Sequence, residues 1–303
     1  MSKAKLHKWI AVTHPWSLPV SISPALVAIS FVFYLHKTGV VLTVYWMNAI
    51  LAVLGAMFFH LSGNLISEYY DFVNGVDGED KKGAARMIVT GDFKPKTVLY
   101  YGYVLLLIGV LFGLSLFFRT GMPILYIGLM GMIFTLFYYR FKYVAWGDFV
   151  ILITFGLLIA LGVTYALTRQ LIWESMWVSL PVGMLIVAIL HANNTRDILQ
   201  DKEAGIKTQA MKLGLEGSQV LYQTLLLVAY LVIAFNVVAK LLHPITFIVL
   251  LSFPMAVKNI KRMRVATIHD LSTIDILDAH TAKLVLAFSL LLSMGNFIAP
   301  YLR

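Results

Sequence analysis

Two short stretches hold most of the side chains that could do chemistry, NLISEYYDFVNGVD (64–77) and NNTRDILQDKEAGIKT (193–208). In the first, Asn64, Glu68 and Asp71 recur at i, i+4 and i+7, with Asp77 a little further on. In the second, Asn193, Asp197 and Asp201 recur at i, i+4 and i+8, with Asn194 beside the first of them. Either spacing lines the oxygen ligands along one face of a helix. Carboxylates a turn apart repel, and partial desolvation sharpens the repulsion, so a cation is expected to offset it. Carboxylate and amide oxygens without thiolates favour Mg²⁺ or Ca²⁺ over zinc. Mg²⁺ takes few protein carboxylates and completes its shell with water and phosphate oxygens. Two acidic patches facing each other therefore suit a diphosphate bridged by Mg²⁺. Arg86, Lys142, Arg196 and Lys207 lie nearby in the sequence and fit the same anion as clamps.

The elements that position these residues follow from composition. Of 303 residues, 60% are hydrophobic and only 13% charged, with a mean hydropathy of +0.83. A soluble domain carries roughly twice that charge. This excludes an ordinary soluble enzyme, a disordered chain and a nucleic-acid-binding module. The absence of cysteine excludes a disulfide framework, a thiolate metal site and a cysteine nucleophile. The net charge of +9 then marks loops facing an anionic leaflet. The expected fold is all-α: a polytopic membrane protein with nine transmembrane helices in one bundle. Stretches of bilayer length fall near 17–36, 44–66, 98–118, 121–139, 147–167, 175–195, 220–241, 244–257 and 283–301. The eighth is short and carries Pro254, yet it must cross for the Lys258–Arg264 cluster to join the other basic residues.

With the N-terminus inside, only Lys37, Arg119, Arg169, Lys240 and Arg303 of the 24 basic residues fall outside. Of the 15 acidic residues, only Glu174 does. Both acidic stretches thus end at the inner face, after spans two and six. Trp9, Trp16, Trp146, Trp173 and Trp177 sit at span ends, as interfacial tryptophans do. The start, MSKAKLHKWIAVTHPW, is basic and lacks a small-residue cleavage site, so no cleaved leader is expected. The two stretches occupy equivalent spans, as in halves of a weak repeat (roughly 1–140 and 141–303) within one membrane domain. Such repeats place sites at their interface. His60 and His191 read as helix-packing histidines, and Asp148 as an acid favouring a helix N-terminus.

These motifs, together with HPWSLPVSISP (14–24), RMIVTGDFKP (86–95) and FTLFYYRFKYVAWGD (134–148), resemble the UbiA superfamily of intramembrane aromatic prenyltransferases. Within it the likeness is to the 1,4-dihydroxy-2-naphthoate prenyltransferases of menaquinone synthesis and their vertebrate relatives. The chain departs from that pattern at Ser67-Glu68, where the family has Asn-Asp, and at His14, where it has Arg. The tract after Thr135 also lacks the usual prolines. The resemblance implies transfer of a prenyl chain from a polyprenyl diphosphate to an aromatic acceptor, with loss of the ring carboxylate in the naphthoate case. It implies Mg²⁺, with Mn²⁺ able to substitute, held by Glu68, Asp71, Asp197, Asp201 and Asp77. The diphosphate would be bound by Asn64, Arg86, Lys142, Asn193, Asn194, Arg196, Lys207 and Tyr139. Asp71, Asp197, Asp201, Lys142 and Arg196 would carry the catalysis. The expected setting is the cytoplasmic face of a prokaryotic plasma membrane. Other acceptors of the same fold class are 4-hydroxybenzoate, homogentisate and a glycerol-phosphate lipid. A cation-coupled transporter is the reading from a different class, but it would carry its acids mid-span in broken helices.

Overall fold

The computed structural model describes residues 3–78 and 87–302. Among the described residues there is no β-strand, only two isolated bridges, Val144 with Lys207 and Thr267 with Asp270. Nine described helices are long and apolar enough to cross a bilayer: Pro15–Lys37, Met47–Val73, Pro95–Thr120, Met122–Tyr143, Gly147–Thr168, Glu174–Arg196, Gln209–Val238, Pro244–Val265 and Ser272–Tyr301. We refer to them as the first to ninth spans. The all-α membrane bundle expected from composition is the fold observed.

Three spans differ from expectation in ways that bear on the site. The second continues to Val73, so Glu68 and Asp71 stand within its last turns. It stops where Gly75 adopts φ +68°, a left-handed conformation that glycine takes without a Cβ penalty. The sixth ends at Arg196, and Asp201 sits on a separate short helix, Ile198–Glu203. Backbone hydrogen bonds nevertheless run on through the junction, from Asp197 N to Asn193 O (3.1 Å) and Asp201 N to Asp197 O (2.9 Å). The second motif is therefore a bent helix rather than one straight face. The eighth span begins as a 3₁₀ helix, Pro244–Ser252, and turns α-helical at Phe253. A 3₁₀ winding rises about 2.0 Å per residue against 1.5 Å in an α-helix. That extra rise lets a short apolar stretch cross.

Inside a bilayer, packing and interhelical hydrogen bonds hold helices together, because lipid is as apolar as leucine. The largest buried cluster joins the first and the fifth to ninth spans through side chains such as Phe31, Leu185, Tyr222, Ile233 and Phe288. Polar ties stitch span to span. Asn48 Nδ2 donates to Ala166 O (2.8 Å) and Ser62 Oγ to Gly102 O (2.8 Å). Asn236 Nδ2 donates to Trp177 O (2.9 Å) and Asn296 Nδ2 to Ser30 Oγ (3.1 Å). The fifth span carries a π-helical stretch, Leu152–Leu158. There Gly156 meets Gly183 of the sixth span so closely that a Cβ on Gly183 would run into the Gly156 backbone. Helices approach this closely only through such small residues.

Gly183→Ala should therefore cost about 1–3 kcal/mol through overpacking, read as a lower melting temperature in detergent. Gly113→Ala, whose Cβ would meet nothing within 4 Å, should show no such loss.

Candidate active site

The C-terminal ends of the second and fourth spans meet at a buried ion pair. Lys142 Nζ donates to Asp71 Oδ2 at 2.8 Å, and Tyr143 OH donates to Asp71 Oδ1 at 2.6 Å. Asp201 of the second motif is near enough to act electrostatically on Lys142, so charges from both acidic stretches bear on this lysine. A backbone tie reinforces the junction, with Lys207 N donating to Tyr143 O at 3.1 Å. The expected offsetting cation is thus partly supplied by the protein itself. A buried pair of this kind is held by geometry, because each charge alone would be costly to desolvate.

Arg196, at the end of the sixth span, is gripped from three directions. Its Nε and Nη2 reach both carboxylate oxygens of Asp197 (2.8 and 3.1 Å). Its Nη1 reaches Asp278 Oδ2 and Asp275 O, each at 3.1 Å, and its Nη2 also bonds Asn193 Oδ1. The guanidinium fork suits such multidentate holding. Asp278 and Asp275, at the start of the ninth span, were not singled out from the sequence. Their signal was an acidic pair three apart leading into an apolar run.

A third pair departs from the expected ligand set. Glu68 Oε2 lies 2.8 Å from His14 Nε2, while buried Glu68 Oε1 has no hydrogen-bond partner. His14 holds φ +54°, fixed by Ser17, whose N and Oγ both donate to His14 O (2.9 and 2.8 Å). Asn64 turns toward the same segment, donating to Ser17 Oγ (3.0 Å) and Thr13 O (3.3 Å). Outside the spans, Lys8 Nζ donates to Asp92 at 2.5 Å, tying the short N-terminal helix Lys3–Ala11 to the loop before the third span. That hydrogen bond holds the Asp92 carboxyl below the usual carboxylate range.

Groups from three of these clusters, Asp71 and Lys142, Arg196 and Asp278, and His14 and Glu68, border one cavity of about 880 Å³. Its polar end is lined by Asn64, Glu68, Asp71, Asp77, Lys142, Asn193 and Arg196, with His14 and Asp278 beside them. The rest is apolar, walled by aromatic and small residues such as Trp16, Phe59, Phe134, Tyr138 and Phe155. Several expected site residues lie off this wall. Asp197, Asp201 and Asn194 are buried, with Asp197 behind Arg196. Tyr139 stacks on Tyr70, ring centroids 3.7 Å apart, and exposed Lys207 meets the fourth span through its backbone. Arg86 lies outside the described residues. His191, expected only to pack, bonds Asp148 through Nδ1 (2.9 Å), and His191 Nε2 and Asp148 Oδ1 have no hydrogen-bond partner.

The oxygen donors at the polar end, with the unpaired Glu68 oxygen among them, fit a hard divalent cation. Among the described residues no three carboxylates or histidines converge as a metal nest. The fit is therefore to an ion shared with phosphate oxygens, which is how Mg²⁺ usually binds.

A model of the UbiA prenyltransferase family matches residues 21–268. UbiA prenyltransferase domain-containing protein 1 of Mus musculus is 33% identical over 302 residues, covering 98% of this chain and 85% of that protein. The Homo sapiens protein of the same name is 33% identical over 308 residues, covering 98% and 86%. Among solved structures, an apo UbiA homolog from Aeropyrum pernix K1 superposes with a TM-score of 0.70 at 16% identity, covering 93% of this chain and 99% of that one. A UbiA homolog from Archaeoglobus fulgidus bound to GPP and Mg²⁺ gives 0.56 at 17% identity, covering 93% and 99%.

The Lys142–Asp71 pair should show itself as coupling. Lys142→Met alone strands a buried carboxylate and should destabilise by about 3–5 kcal/mol. Adding Asp71→Leu should restore most of that stability. Additive losses in this double-mutant cycle would contradict the buried pair.

Proposed function

The chain belongs to the UbiA prenyltransferase family, and from that premise we propose that it transfers a prenyl chain from a polyprenyl diphosphate to 1,4-dihydroxy-2-naphthoate. The observation that carries the reading is one continuous cavity with charged groups at one end and an apolar shaft at the other. That shape matches an amphiphile with an anionic head and a hydrocarbon tail. The animal relatives lend no support to a prokaryotic plasma membrane, and the acceptor rests on the sequence resemblance.

In this proposal Lys142 and Arg196 meet the diphosphate head. Each is already aimed by its carboxylate partners, so little reorganisation is needed as charge builds on the leaving group. Glu68, Asp71 and Asp77 at the cavity, with Asp197 and Asp201 behind it, would hold Mg²⁺ jointly with the phosphate oxygens. When bound, the ion supplies charge neutralisation at the departing diphosphate. The allylic C–O bond breaks and its electron pair leaves with the diphosphate. The aromatic walls keep water from the allylic cation, and their faces attract it. A ring carbon of the acceptor then bonds to the allylic carbon, and the ring carboxylate departs as CO₂. With an unsubstituted ring position a proton leaves instead.

We place the polar end at the cytoplasmic face, because the basic residues concentrate there. A diphosphate crossing the hydrocarbon would face a large desolvation cost, so the head should enter from that face.

Incubation with geranyl diphosphate, Mg²⁺ and a panel of the naphthoate, 4-hydroxybenzoate and homogentisate should yield a prenylated naphthol, and excess EDTA should abolish it. Product from another ring alone would reassign the acceptor. Undiminished transfer in EDTA would remove the metal.

The chain has no native thiol, so single cysteines at Gly78 and Lys202 provide a clean topological test. They should react with an impermeant maleimide only from the cytoplasmic side, and more slowly with substrate bound. Labelling from the opposite side would invert the orientation.

A further inference from the structure

One aromatic ring on the wall of the apolar shaft is seated between two glycines. Phe59 of the second span lies between the third and fourth spans, and all three elements border the cavity. A Cβ on Gly109 would stand 2.5 Å from Phe59 Cδ1 and 2.8 Å from Cε1. A Cβ on Gly131 would stand 3.7 Å from Cδ2 and 3.9 Å from Cε2. The ring therefore has one edge against the Gly109 backbone and the other toward Gly131. Its own helix closes a third side, and the cavity is on the fourth.

Height along the shaft gives this ring its meaning. Phe59 precedes Glu68 by two and a half turns, so it stands about 14 Å above the polar end at the helical rise. Past it the cavity continues for roughly another 10 Å along the second span to Ala52, between Gly113, Leu116 and Ile127. A geranyl chain with its diphosphate among Asp71, Lys142 and Arg196 ends below the ring. A geranylgeranyl chain must pass it.

We infer that Phe59, seated between Gly109 and Gly131, is the constriction that sets the enzyme's preference for prenyl-donor length. The inference rests on the prenyl-transfer reading and adds to it the residue that discriminates among donors. It is a specificity residue, remote from the reacting atoms, so its effect should fall on the ratio between donors rather than on turnover in general. A larger ring narrows the passage, since backbone flanks it on either side. A shorter aliphatic side chain widens it.

The test compares kcat/KM for geranyl and geranylgeranyl diphosphate with the same acceptor in the full-length protein. Phe59→Trp should lower the geranylgeranyl-to-geranyl ratio by roughly tenfold or more, and Phe59→Leu should raise it by about threefold. The two opposite movements keep the test decisive even if the tryptophan variant fails to fold. A packing residue would instead depress both donors together, and a ratio unchanged in the folded variants overturns the inference. If the parent enzyme transfers neither chain, the prenyl-transfer reading itself falls, and this assignment with it.

Discussion

Everything at the polar end depends on one constraint: a charge near the hydrocarbon must be neutralised where it stands. The protein meets it by pairing each basic residue at the cavity with acids on a different element. Lys142 of the fourth span takes Asp71 of the second, with Tyr143 adding a hydrogen bond to the same carboxylate. Arg196 of the sixth takes Asp197 beside it and Asp278 of the ninth. These pairs add little net stability, because desolvation cancels much of the attraction. Their effect is orientation. Four spans are brought into register at one end of the bundle, with two cations aimed at the same cavity.

In the proposed function, that arrangement would let an apolar bundle host a strongly anionic group. Had the basic side chains been free to turn toward water, binding a diphosphate would cost their rotamer freedom and their hydration. Held by carboxylates, they need only change partners. The acids left behind are oxygen donors, which a divalent ion shared with phosphate can satisfy. The apolar shaft would serve the other half of the proposed ligand. Glycines along the second, third and fourth spans line it, and one of them, Gly109, backs onto the Phe59 ring.

Span number and the position of the acids at span ends were legible because both depend on local composition: long apolar runs, punctuated by charge. The spacing of Asn64, Glu68 and Asp71 identified a helical face, since the second span carries all three. The same reasoning failed for Asp197 and Asp201, where the helix bends at the junction and periodicity alone gives no sign of it. Long-range partners were equally hidden. Nothing local in the sequence shows that His14 lies against Glu68, fifty-four residues away, or that Asp148 bonds His191. Asp148 and His191 each read as a separate residue with a bland role, and Glu68 as a metal ligand with no partner in view. Asp278 was overlooked for a different reason: acids just before an apolar run, such as Asp275 and Asp278, resemble any helix start, and only the tertiary approach of the ninth span to Arg196 gives them a task.

The central claim is that Lys142 and Arg196 form a prearranged seat for the diphosphate at the polar end of the cavity. A structure of the protein with Mg²⁺ and geranyl S-thiolodiphosphate, whose carbon–sulfur bond resists cleavage, tests it most directly. The account predicts phosphate oxygens within hydrogen-bonding distance, about 3 Å, of both Lys142 Nζ and the Arg196 guanidinium, with the tail running past Thr135 toward Phe59. A diphosphate bound elsewhere, with the Lys142–Asp71 and Arg196–Asp197 pairs untouched, would contradict it.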